Sequence, residues 1–133
     1  MQNQEGTEMK KILVADDEAN IRLFFDELLS DSGYQVTAVG TGREALRKLL
    51  KERYDLLVAD VKMPDLNGLE LLERIRELGN GIPVIICTSF KHLQEDYVVN
   101  TSGVSAYVTK PVNVEDFRNK VREILEAEPA ARS

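Results

Sequence analysis

The chain has 133 residues, of which 43% are hydrophobic and 30% charged, and its formal net charge is −6. That length suits one compact domain with its own core, and the acidic balance disfavours a direct grip on nucleic acid. One cysteine, Cys87, excludes an intrachain disulfide and any Cys-based zinc cluster and suits a reducing, cytoplasmic setting. No apolar run approaches the roughly 18 residues of a membrane span, and the polar opening is no signal peptide.

Residues 1–9 read as a flexible leader. Lys11 then opens Ile12-Leu13-Val14-Ala15, an apolar run of strand length that stops at Asp16-Asp17-Glu18. Over 19–32, Ile21, Phe24, Phe25, Leu28 and Leu29 recur at helical spacing, and Gly33 stands where a C-terminal cap belongs. Residues 36–39 form a weaker strand. Thr41 and Glu44 make a capping box for a helix that presents Ala45, Leu46, Leu49 and Leu50 on one face. Leu56-Leu57-Val58-Ala59 is a buried strand ending at Asp60, and Met63-Pro64-Asp65-Leu66-Asn67-Gly68 is a loop. Residues 69–78 are helical with Leu71, Leu72, Ile75 and Leu78 inward. Residues 83–87 are the most β-branched strand. A short helix is expected over 91–102, with His92 as a solvated residue. Residues 106–108 form a fifth strand, and Asn113 caps a last helix carrying Val114, Phe117, Val121, Ile124 and Leu125. Residues 126–133 read as a tail or linker remnant, so the domain spans 10–125.

Strand and helix alternate five times, and strands apolar on both faces belong in a parallel sheet covered by helices. The expectation is an α/β, doubly wound, five-stranded parallel sheet with five helices and strand order 2-1-3-4-5. In such a sheet ligands gather at the carboxyl ends of the strands. Those ends hold Asp16 and Asp17, then Asp60, then Thr88 and Ser89, then Lys110. Any one of them alone is ordinary: an Asp after a strand is often a turn cap, and a Lys is often solvated. Three carboxylates at one edge repel one another unless a cation intervenes. Mg²⁺ suits them, because it takes one or two carboxylates and keeps room for water and a phosphoryl oxygen. The set fits phosphoryl transfer, with Asp60 the best acceptor at the end of the central strand, Lys110 a fixed positive charge and Thr88 a hydroxyl donor.

These segments, with Ile86-Cys87-Thr88-Ser89 and Ala106-Tyr107-Val108-Thr109-Lys110-Pro111, resemble the receiver domain of two-component response regulators, the chemotaxis-regulator-like or flavodoxin-like fold. The resemblance implies a phosphoacceptor, not a turnover enzyme. Asp60 would receive a phosphoryl group from a phosphohistidine on a sensor histidine kinase or a histidine phosphotransfer protein. Asp17 would ligate Mg²⁺ directly, Asp16 directly or through water, and the Lys62 carbonyl would join them, with Mn²⁺ able to substitute. Thr88 and Lys110 would hold phosphoryl oxygens, and Tyr107 would turn inward as Thr88 moves. The bond before Pro111 would be cis. The output surface would be the fourth helix, fifth strand and fifth helix, meeting an output partner or effector domain that the sequence does not name. In receivers the side chains two past the acceptor and two past the switch threonine flank the path of attacking water. Here they are Lys62 and Phe90, neither a carboxylate or amide able to orient an attacking water, so slow self-dephosphorylation is expected. Kinase docking is expected along the first helix, at Ile21 and Phe24.

Three other readings compete. An aspartate-nucleophile phosphatase usually has a second acid two residues past the nucleophile, where this chain has Lys62. A flavin or nucleotide site wants a glycine- or hydroxyl-rich loop after strand one, where this chain has Asp16-Asp17-Glu18. An unphosphorylated docking module has no need of the complete set of acids, Thr88 and Lys110.

Overall fold

The computed structural model describes residues 9–89 and 103–127. Five strands, β1 (Lys11–Ala15), β2 (Gln35–Val39), β3 (Leu56–Asp60), β4 (Val84–Ser89) and β5 (Ala106–Lys110), form one sheet in the order β2-β1-β3-β4-β5. Every pairing is parallel. Four helices occur among the described residues: α1 (Ala19–Asp31), α2 (Gly42–Lys51), α3 (Gly68–Glu77) and α4 (Val114–Leu125). The short helix expected over 91–102, with His92, lies outside them, and so does Phe90.

The strands are apolar on both faces because both faces are covered. Leu13, Ala15, Leu57, Ala59, Val84 and Ile86 pack with Ala45 and Leu49 of α2 and Leu71, Leu72 and Ile75 of α3. Their alternates Ile12, Val14, Leu56, Val58, Ile85 and Cys87 pack with Phe25, Leu28 and Leu29 of α1 and Phe117 and Val121 of α4. The rings of Phe25 and Phe117 lie 5.0 Å apart and join the two helices. Cys87 is a small buried hydrophobe, 1% exposed.

Local signals act largely as the sequence implies. Gly33 and Gly79 end their helices at φ +97° and +80°, a region that costs an L side chain strain. Asn113 accepts from the Asp116 N–H at the start of α4. The capping box at α2 differs from expectation. Thr41 accepts from the Glu44 N–H, but the Glu44 carboxylate reaches past Thr41 to the Gly40 N–H. The complete box is at α3, where Asn67 accepts from the Leu69 and Glu70 N–H groups and Glu70 accepts from the Asn67 N–H. Two leucines expected inward are outside: Leu50 is 64% and Leu78 59% exposed. Both stand at the C-terminal end of a helix. Strand β4 runs two residues beyond the expected 87, so Thr88 and Ser89 belong to the ladder.

Candidate functional site

The parallel register brings the sequence-distant polar residues to one edge. Ala15 pairs with Ala59, Asp60 with Cys87, Thr88 with Thr109 and Ser89 with Lys110. Asp16 follows β1 and is 1% exposed; Asp60 closes β3 and is 6% exposed. Lys110 Nζ donates to Asp16 Oδ2 at 3.0 Å and to Asp60 Oδ2 at 2.9 Å. The remaining oxygens are held by backbone: Asp16 Oδ1 accepts from the Glu18 N–H at 2.9 Å, and Asp60 Oδ1 from the Lys62 N–H at 3.1 Å. Burial raises the Asp16 pKa from its ordinary value, against the Glu18 N–H and Lys110, which lower it. Burial also opposes the Lys110 ammonium, but hydrogen bonds and attraction from Asp60 and Asp16 outweigh it and raise its pKa. The ammonium thus stays charged and bridges two buried carboxylates.

Asp17 is exposed, and one oxygen from each of Asp16, Asp17 and Asp60 lies within 4.8 Å of the others. Opposite ligands of an octahedral Mg²⁺ stand about 4.2 Å apart, so a cation would have to draw the three oxygens slightly closer to hold them in one coordination sphere. One ammonium does not neutralise three carboxylates, which leaves room for a dication. Thr88 is fully buried, and its Oγ1 has no hydrogen-bond partner among the described residues. A buried hydroxyl without a partner is costly and is open to a ligand oxygen. Lys62 is exposed, Tyr107 is half-buried, and the Lys110–Pro111 bond is cis.

Two supports shape the acceptor side: Gly68, which the resemblance already places in this loop, and Asp65, whose latch was not anticipated from sequence. Gly68 is needed because a Cβ there would stand 2.4 Å from the Asp60 carbonyl oxygen. Asp65 fastens the loop after Asp60 to the start of α2. Its carboxylate accepts from the Gly42 and Arg43 N–H groups at 3.1 and 3.2 Å and from its neighbour Leu66 N–H. The latch joins residues 22 and 23 apart in sequence, so no local pattern marks it. A further link was also missed: the Arg22 guanidinium donates to the Asp16 carbonyl at 2.8 Å.

A doubly wound parallel sheet with buried acids and an ammonium at its carboxyl edge is an α/β arrangement suited to phosphoryl transfer. Residues 12–122 match the family model of the response regulator receiver domain, and the chain belongs to that family. It is 33% identical to the sporulation initiation phosphotransferase F of Bacillus subtilis over 87% of this chain and 94% of that protein. It is 31% identical to the response regulator ArlR of Staphylococcus aureus over 91% of this chain, but spans only 55% of that longer protein. The crystal structure of the response regulator TrrA from Thermotoga maritima, in complex with Mg²⁺-BeF, matches with a TM-score of 0.79 and 35% identity, over 87% of this chain and 99% of that one. The chain is a receiver, a phosphoacceptor of two-component signalling, and such domains bind Mg²⁺ at an acidic cluster of this kind. Receivers work with histidine kinases or phosphotransfer proteins. No helix among the described residues is long and apolar enough to cross a membrane.

Proposed function

We propose that Asp60 is the phosphoacceptor, and that residues 10–125 act as a cytoplasmic relay or switch rather than as a turnover enzyme. The observation that carries this reading is the Lys110 ammonium held between Asp16 and Asp60, at the sheet edge where the Thr88 hydroxyl has no partner among the described residues.

In the transfer, an Asp60 carboxylate oxygen forms a bond to phosphorus as the P–N bond to the donor imidazole breaks. The electron pair of that bond leaves on the imidazole, and an acyl phosphate remains. Lys110 keeps one hydrogen bond to the acceptor and turns the other from Asp16 to a phosphoryl oxygen. Thr88 Oγ1 donates to a second oxygen, which supplies its missing partner, and Tyr107 follows Thr88 inward. Asp17, Asp16 and the Lys62 carbonyl are the groups that would hold the cation; Mg²⁺, or Mn²⁺ in its place, would supply positive charge to the phosphoryl oxygens. Charge placed where the transition state develops it is the main catalytic contribution in phosphoryl transfer.

Lys62 is exposed on the acceptor side, and Phe90 lies outside the described residues. As neither is a carboxylate or amide able to orient an attacking water, the acyl phosphate is expected to be long-lived, since positioning a nucleophile is worth several kcal/mol. Comparing phosphoryl loss after donor removal in the native protein and in Lys62→Asn with Phe90→Glu checks this. Faster loss from the double variant is expected, and equal rates would refute it.

The reading itself is tested by incubation with Mg²⁺ and acetyl phosphate, followed by intact mass. One added phosphoryl group, lost in Asp60→Asn, is expected. Hydrolysis of many donor equivalents per chain would instead indicate a phosphatase.

A further inference from the structure

Leu50 and Leu78 are exposed by 64% and 59%, and both open onto one cavity of about 150 Å³ between α2 and α3, with Leu46, Leu49, Ile75 and Asn80. The surroundings are basic although the chain is acidic. Helix α2 carries Arg43, Arg47, Lys48 and Lys51 against the single acid Glu44. Arg47 is one turn before Leu50, and Arg74 one turn before Leu78 on α3, so each is a surface neighbour of its leucine. Both arginines are exposed, and neither they nor Lys51 has an ion-pair partner among the described residues. Helix α3 also brings Glu73 and Glu77, so the positive bias of the groove comes from α2.

The complement of this groove is on the same chain. Leu23 of α1 is 57% exposed. Asp26 and Glu27, three and four residues on, share its side of the helix, and Asp31 ends it. The one basic residue of α1, Arg22, is turned to the Asp16 carbonyl. Helix α1 therefore offers a leucine beside acids, and the α2–α3 groove accepts apolar side chains beside bases.

We propose that the α2–α3 groove docks α1 of a second copy, with Leu23 seated between Leu50 and Leu78 and its acids facing Arg47, Lys51 and Arg74. Helix α1 packs on one face of the sheet and α2 and α3 on the other. The contact is therefore head-to-tail: each docked pair keeps one free groove and one free α1, and growth continues. So small a patch gives a weak, salt-sensitive association. This surface is independent of the acceptor assignment.

Sedimentation equilibrium of the full chain at low and high salt tests it. At low salt the weight-average mass is expected to rise with concentration from the 15.0 kDa of one chain without levelling at two copies, and high salt should abolish the rise. Leu23→Glu and Leu50→Glu, both exposed changes whose folding circular dichroism verifies, should each stay monomeric, as should Arg47→Glu. Mixing Leu23→Glu with Leu50→Glu restores one native contact and should give a pair of chains that grows no further. A monomer at all concentrations, a plateau at two copies in the native protein, or a mixture without pairs overturns the proposal.

Discussion

Thr88 is the residue at which stability and function oppose each other most directly. Its buried hydroxyl, without a partner among the described residues, carries a desolvation cost of about 1–3 kcal/mol. Thr88→Val keeps the shape and removes that cost. The variant should melt higher than the native protein without a phosphodonor, yet label more slowly with acetyl phosphate; a lower melting temperature would mean that the hydroxyl already has a partner. Asp17→Asn should abolish labelling at ordinary Mg²⁺ and leave the fold intact, because it removes one of three mutually repelling carboxylates. Normal labelling would remove Asp17 from the cation site. Next to Thr88, burial pushes the Cys87 thiol up to about 12 from its ordinary value of 9.0. The folded state therefore holds its proton longer than the unfolded chain. The resulting stability is complete below pH 9 and is lost as pH rises toward 12. Relative to Cys87→Ala, the native protein should lose stability across that window and not at pH 7. At pH 8 a thiol reagent should react only on unfolding. Asp16, Asp60, Thr88 and Lys110 were legible because each lies at or next to the carboxyl end of a strand of a recognisable kind. That Lys110 bridges both acids was not legible, because it depends on side-chain reach across 94 and 50 residues.

At the scale of elements, the loop after Asp60 is held from both sides. Asp65 caps α2 from outside that helix, and Gly68 lets α3 begin against the Asp60 carbonyl. Asp65→Ala removes acceptors from two helix N–H groups and should cost about 1–2 kcal/mol, the range of a lost N-cap. It should also slow labelling at Asp60, by loosening the loop that carries Lys62. An unchanged melting temperature would show that the latch carries no weight. The sequence contains Asp65 in plain view between Pro64 and Leu66, but nothing local says that its partner is α2. The capping box at Thr41 shows the converse: the right residues stood at the right spacing, and Glu44 chose the Gly40 N–H. Helix α1 has more apolar residues than one face can bury. Ile21 and Phe24 are half-buried against the core, with the Phe24 ring 5.2 Å from Phe25. Phe24→Ala should slow transfer from a phosphohistidine donor without slowing labelling by acetyl phosphate; an equal loss in both would assign Phe24 to the core alone.

At the scale of the whole molecule, the parallel, covered sheet followed from strands apolar on both faces, and its order and crowded edge from right-handed crossovers that set the first and third strands side by side at the switch point. The exposed ends of α2 and α3 did not follow, because periodicity assigns a face without knowing where the sheet stops beneath it. The architecture thus gathers three acids, a hydroxyl and an ammonium from four strand ends at one edge of the sheet. The central claim is that this group is carried by Asp60. Labelling with acetyl phosphate and Mg²⁺, followed by borohydride reduction and peptide mass spectrometry, locates the acyl phosphate directly, since reduction converts an aspartyl phosphate to homoserine. Homoserine at position 60 alone is the predicted result. Homoserine at 16, 17 or 65, or labelled protein with none at any aspartate, would contradict it.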